Sequence, residues 1–258
     1  MRRLRSLGIP TALALAATTP GWAQMGTAVG LEVLRPSLEG AGDLSSWLFY
    51  SNARVAAGPR LTFVFELPVA TASGSGDSET RLGNPYLGFR VSSPANVTLD
   101  FGLRPPLAKA QSFGNAVPLL VGSLTDFDRF EAFVPELLSV QIRATPRHQT
   151  PSGLLVEAHM GGTATVPTEG GETDVLGDYG FRAGYGGTQA EALLGITGRL
   201  LLTGDGTIGE RTLHQFTARV VFDVGGARPH FVLRFPLDDD LTDIFTYVVG
   251  AGITVALR

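Results

Sequence analysis

Arginine, carboxylate and histidine side chains recur in this chain on one parity of alternating segments: Arg54, Glu66, Arg90, Asp100, Arg104, Arg143, Glu157, His159, Arg182, Glu191, Arg199, Arg219, Asp223 and Arg234. Residues two apart on an extended strand point the same way, so these groups share a face. Guanidinium and carboxylate groups that meet across a hairpin can pair. Left unpaired along an enclosed surface, they make a polar track for small solutes. Each hairpin carries one such couple: Arg54 with Glu66, Arg90 with Asp100, Arg143 with Glu157, Arg182 with Glu191, and Arg234 with Asp223. Counting outward from the turns sets Arg143 near Glu157 and Arg182 near Glu191, puts Arg90 diagonal to Asp100, and leaves the other two couples offset by about four residues. Arg104, Arg199 and Arg219 have no such acid, and with His159 they are the candidate solute-binding residues, suited to anionic or polar groups. The same charges would equally serve to fill and brace a narrow lumen.

Other chemistry is weakly supported. A lipid hydrolase on a barrel wall needs a serine beside an oriented histidine, and no serine follows Ser152 to accompany His214. Asp205, His214 and Asp238 to Asp240 could form a rim-active hydrolase, a minor reading, so no catalytic residues are assigned and the chain is read as a non-enzyme. His159 beside Glu157 reads as a hydrogen-bonded lining residue, because no second histidine has ligand spacing; no metal site is expected. The glycine pairs at 161–162, 186–187 and 225–226 lack the lysine of a phosphate loop, so no nucleotide or other cofactor is expected. Neither is nucleic acid, since the formal charge is -4.

The elements that must position these groups are strands. Twelve period-two segments run through the chain, at 26–35, 46–56, 60–71, 84–93, 96–105, 135–146, 153–166, 177–186, 189–203, 211–224, 229–237 and 245–257. Their second parity is apolar, as in Leu61, Phe63, Phe65, Leu67 and Val69, or Phe231, Leu233 and Phe235. Short turns alternate with longer polar loops, the rhythm of a membrane barrel with short periplasmic turns and long extracellular loops. The last segment, FTYVVGAGITVAL, sets an apolar row against a row of small residues. The expected fold is therefore all-β: a single transmembrane antiparallel β-barrel of about twelve strands with a partly helical long loop. That loop is the insertion at 105–134, where Leu120, Leu124, Phe127, Phe130 and Val134 follow at helical steps. It is expected either to fold into the mouth as a constriction or to pack on the rim.

Composition agrees. There is no cysteine, and 33 glycines accompany only 17% charged residues. Lys109 is the only lysine among 20 cationic residues, and arginine is the better partner for paired carboxylates. Residues 1–23 read as a secretory signal peptide, with Arg2, Arg3 and Arg5 ahead of an apolar run and small residues flanking Ala23. Export to the bacterial outer membrane follows, with lipid, lipopolysaccharide and the barrel-assembly machinery as partners. Residues 24–258 would be the barrel.

The stretch Gly83-Asn84-Pro85-Tyr86-Leu87-Gly88-Phe89-Arg90 resembles the G-(D/N)-x-x-L-G-x-R strand opening of a family of bacterial outer-membrane barrels associated with the meta-cleavage pathway of phenol degradation and grouped with transporter-like channels. The resemblance covers one strand motif and the general architecture. It implies a channel for passive uptake of small solutes, aromatic compounds among them. The chain departs from many barrels of this compartment in ending Leu257-Arg258 rather than on an aromatic residue. The alternative function is a closed-lumen barrel that serves a structural or surface-interaction role through its long loops.

Overall fold

The computed structural model describes residues 26–40, 42–74, 77–110 and 113–257. The expected signal peptide lies outside the described residues. Thirteen antiparallel strands follow in order: β1 (Ala28–Leu38), β2 (Ser45–Ala56), β3 (Leu61–Gly74), β4 (Asp77–Leu82), β5 (Tyr86–Ser92), β6 (Val97–Arg104), β7 (Leu137–Gln149), β8 (Leu154–Pro167), β9 (Asp174–Gly186), β10 (Ala190–Leu201), β11 (Thr212–Phe222), β12 (Ala227–Pro236) and β13 (Phe245–Ala256). Each pairs with its neighbours in sequence except β4 and β5, which both pair with β3 and not with each other, and β1 closes against β13 with Ala28 opposite Ala256. Closure removes the open edges that a sheet of this size would otherwise expose.

The wall has twelve lanes, as expected, because β4 and β5 share one. β3 pairs with β5 through Leu61 to Glu66 and with β4 through Val69 to Gly74. The lane is broken at Gly83-Asn84-Pro85, where proline removes a backbone donor. Residues 71–83, expected as a loop, therefore belong largely to a hairpin that continues the wall. The connections at 57–60, 93–96, 150–153, 187–189 and 223–226 are short, and the long ones gather at the other end. At the 223–226 turn, Val224 and Ala227 exchange both backbone hydrogen bonds around Gly225 and Gly226, each at positive φ. Two-residue hairpins need that conformation, and glycine adopts it without steric cost.

Alternation sets the two faces. Phe63, Phe65, Phe89, Ile142, Phe181, Leu194 and Phe231 are exposed on the outside of the wall. The buried apolar residues gather inside it: Leu34, Leu48, Tyr50, Ala70, Val232, Phe245 and Val248 from the strands pack with Ala108, Leu119, Phe127, Ala132 and Phe133 of the long insertion. The core is thus the filled interior of a barrel, and the insertion supplies part of it.

Glycines on the inner face permit close approach of neighbouring strands. A Cβ on Gly195 would lie 2.0 Å from the Phe181 carbonyl oxygen, whereas one on Gly209 would meet nothing within 4 Å. Gly195→Val should abolish the compact, heat-modifiable band of the folded barrel on a semi-native gel, and Gly209→Val should leave it unchanged.

Candidate functional site

The insertion between β6 and β7 is a plug. Its helix α1 (Phe113–Thr125) ends at Asp126, whose side chain accepts from the Asp128 amide and opens a 3-10 helix at Phe127–Ala132. That break changes the phase of the apolar stripe. Leu119, Phe127 and Phe133 are fully buried, while Leu120, expected on the packed face, is 60% exposed.

Asn84, in the break between β4 and β5, ties the plug to the wall. Its amide group donates to the Glu131 and Val134 carbonyl oxygens at 3.0 and 2.7 Å, and its side-chain oxygen accepts from the Ala108 amide at 2.8 Å. Its backbone amide donates to the Ala132 carbonyl, and its carbonyl accepts from Arg104. Both ends of the plug thus meet at one buried side chain. Adjacent Gly83 fits because a Cβ there would lie 2.3 Å from the Ala132 oxygen. Tyr86 likewise lies over Gly88 and Gly102, where a Cβ would overlap its ring. The motif that carries the family resemblance therefore builds the anchor of the plug.

Charge ties the rest. Arg129 of the 3-10 helix binds Asp126 at 2.6 Å, Glu32 of β1 at 2.8 Å and Glu66 of β3 at 3.2 Å, and lies 3.6 Å from the centre of the Tyr50 ring. Asp126 also pairs with Arg234 of β12. Asp128 reaches Arg182 at 2.6 Å and Arg143 at 3.8 Å, and Glu131 pairs with Arg199, both of them buried. Burial alone would raise the Asp126 and Asp128 carboxyls, but the facing arginines outweigh it and hold both below the ordinary carboxylate range.

These contacts revise the hairpin pairs. Arg90 and Asp100 stand directly opposite and bond at 2.7 Å. Arg143 instead faces Gly161 and binds Asp178 at 2.8 Å, because β7 runs on to Gln149, three residues further than expected, and the turn to β8 is displaced to 150–153. Arg147 takes the place opposite Glu157 and bonds it at 3.3 Å, along with Glu191 at 2.6 Å. Arg182 faces Gly195 rather than Glu191 and reaches Glu157 at 3.2 Å. Asp223 pairs with Arg228, and Arg234 with the plug. Glu66 binds Arg104 at 2.8 Å as well as Arg129, leaving Arg54 without it. Of the candidate solute-binding residues, Arg104 and Arg199 are buried in ion pairs and His159 is buried near Asp128; among the described residues Arg219 has no carboxylate within 4.0 Å, although Glu32, Glu157 and Glu191 lie close enough to act on it at longer range. What the alternation missed was the set Asp126, Asp128, Arg129 and Glu131, whose dense charge inside the apolar insertion was the available signal.

Between the plug and the short-turn end lie two stacked cavities of about 280 and 240 Å³. The upper one is bordered by the charged side of the plug and the lower one by Arg147, Glu157, Glu191 and Arg228. Outside the wall, His214 links Tyr179 at 2.9 Å to Asp238 at 3.1 Å. No serine joins this chain of contacts.

No protein-family model matches the chain, and no curated protein matches it in sequence. In fold it is similar to solved barrels. An outer membrane channel from Pseudomonas putida F1 superposes with a TM-score of 0.58 at 11% identity, over 90% of this chain and 96% of that one. The translocator domain of the autotransporter NalP from Neisseria meningitidis gives 0.54 at 12%, over 90% and 89%. The NanC porin gives 0.52 at 6%, over 88% and 100%. At these identities the likeness is one of fold.

Removing one partner of a buried pair leaves the other charge uncompensated, at about 3–5 kcal/mol. Arg199→Met should lower stability to urea by about that amount, and Glu131→Gln in the same chain should recover most of it. A double-mutant cycle should find coupling between Arg143 and Asp178 and none between Arg143 and Glu157.

Proposed function

We propose that this protein is a bacterial outer-membrane channel for passive uptake of small solutes, with the plug setting how much passes. The observation that carries the reading is the pair of charged cavities enclosed by a closed barrel whose outer wall is apolar. A charge facing hydrocarbon costs about 2–4 kcal/mol near the midplane, so this division of faces suits a lipid exterior and a polar interior. The short turns and both ends of the strand series would face the periplasm, and the long acidic loops, with Asp238 to Asp240, the lipopolysaccharide side. Residues 1–23 would direct export, and the barrel-assembly machinery would insert the chain. Two of the solved barrels of this fold are a channel and a porin. The resemblance at Gly83 to Arg90 adds aromatic compounds, phenols among them, to the candidate cargo.

A closed-lumen barrel acting through its loops is the second reading, and the packed plug favours it: Leu119, Phe127, Ala132 and Phe133 are fully buried against the wall. The two readings differ in conduction. Protein reconstituted in planar bilayers should show discrete openings. Asn84→Leu, which removes the anchor while keeping a side chain of similar size, should increase conductance or open time severalfold. No openings at any voltage from folded wild-type and Asn84→Leu protein would overturn the channel.

A further inference from the structure

Arg54 on β2 and Arg219 on β11 differ from the other lumenal arginines. Among the described residues neither has a carboxylate within 4.0 Å, and neither donates a hydrogen bond to the protein. Both border the upper and the lower cavity at once, in a belt shared with Arg90, Arg143, Arg182 and Asp100. Those three arginines are committed: Arg90 to Asp100 at 2.7 Å, Arg143 to Asp178 at 2.8 Å, and Arg182 to Asp128 at 2.6 Å. Arg54 and Arg219 come from lanes separated by β1, β13 and β12, so they enter the lumen from different parts of the wall.

Acids act on them only at longer range, Asp100 on Arg54 and Glu32, Glu191 and Glu157 on Arg219, and these acids are outnumbered. Eight arginines and five acids line the upper cavity, and seven arginines and three acids the lower, in a chain whose formal net charge is -4. Positive charge is therefore concentrated where the two cavities join. Each guanidinium presents several N–H donors and no acceptor, so neither can satisfy the other. An oxyanion between them would accept from both and relieve their repulsion, in the geometry that guanidinium recognises best.

We propose that Arg54 and Arg219 form a binding site for the oxyanion group of a small solute, a carboxylate or a phosphate. Its place on a permeation path rests on the channel reading; binding itself does not. The test uses folded full-length protein in detergent, with benzoate and inorganic phosphate as probes in titration calorimetry. At least one probe should bind wild-type protein, and the double variant Arg54→Gln with Arg219→Gln should weaken it by about tenfold or more, the scale expected when charge-assisted hydrogen bonds are lost. Arg60→Gln, on the β2–β3 turn, should bind as wild type. No binding of either probe to wild-type protein, or unchanged binding to the double variant, overturns the site. In bilayers under a potassium chloride gradient, the reversal potential should show anion selectivity that falls in the double variant. Cation selectivity, or selectivity indifferent to the two substitutions, overturns the role in permeation. Binding that behaves as expected in a protein that passes no current supports the site and counts against the channel.

Discussion

Arg129 organises the interior. It belongs to the plug, yet it is held by Glu32 and Glu66 on the wall as well as by Asp126 beside it, with Tyr50 packed against its face. Taking an arginine and three carboxylates out of water is costly unless every charge finds a partner. Here the plug and the wall each supply what the other lacks. Asp126, Asp128 and Glu131 would have few partners without Arg234, Arg182 and Arg199, and among the described residues only Arg182 of those wall arginines keeps a wall carboxylate, Glu157, without the plug. The preference for arginine over lysine follows, because one planar guanidinium can serve several carboxylates at once.

Polarity changes along the barrel axis. The long-loop half is filled by apolar contacts among Leu34, Leu48, Phe127, Phe133, Phe245 and Val248. The middle is a ring of ion pairs between the 3-10 helix and the wall. Beyond it the lumen opens into space lined mainly by arginine. The plug spans this gradient, with its apolar side packed in the long-loop half and its charged side turned toward the cavities.

Much of the wall was legible in the sequence. Period-two alternation located every lane, since outward-facing and lumen-facing residues must alternate along each strand. It failed where chain length hides register. The β7–β8 turn lies further along the chain than its polar stretch RHQTPS suggests, because Arg147, His148 and Gln149 are still strand, which moved Arg143 away from Glu157 and brought Arg147 to it. Pairing was legible only for Arg90 and Asp100, which sit on adjacent strands joined by a tight turn. The other couples exchange partners: Arg143 takes Asp178 two strands away, while Arg182 and Arg234 take Asp128 and Asp126 of the insertion, and no local spacing rule reaches that far. The anchor was visible as a motif, but its purpose was not: Asn84 looks like a strand opening until its side chain is seen between Ala108 and Val134.

The seam between β1 and β13 joins the two ends of the strand series, the most distant pairing in the chain and hence the one with the largest loss of chain entropy on closure. The plug touches both sides of that seam: Arg129 holds Glu32 on β1, and Asp126 holds Arg234 on β12, next to β13. A segment lying midway along the chain therefore holds together strands from opposite ends of the series. The plug thus stands as a mandrel inside the rolled sheet, and its charged residues brace the closure from within.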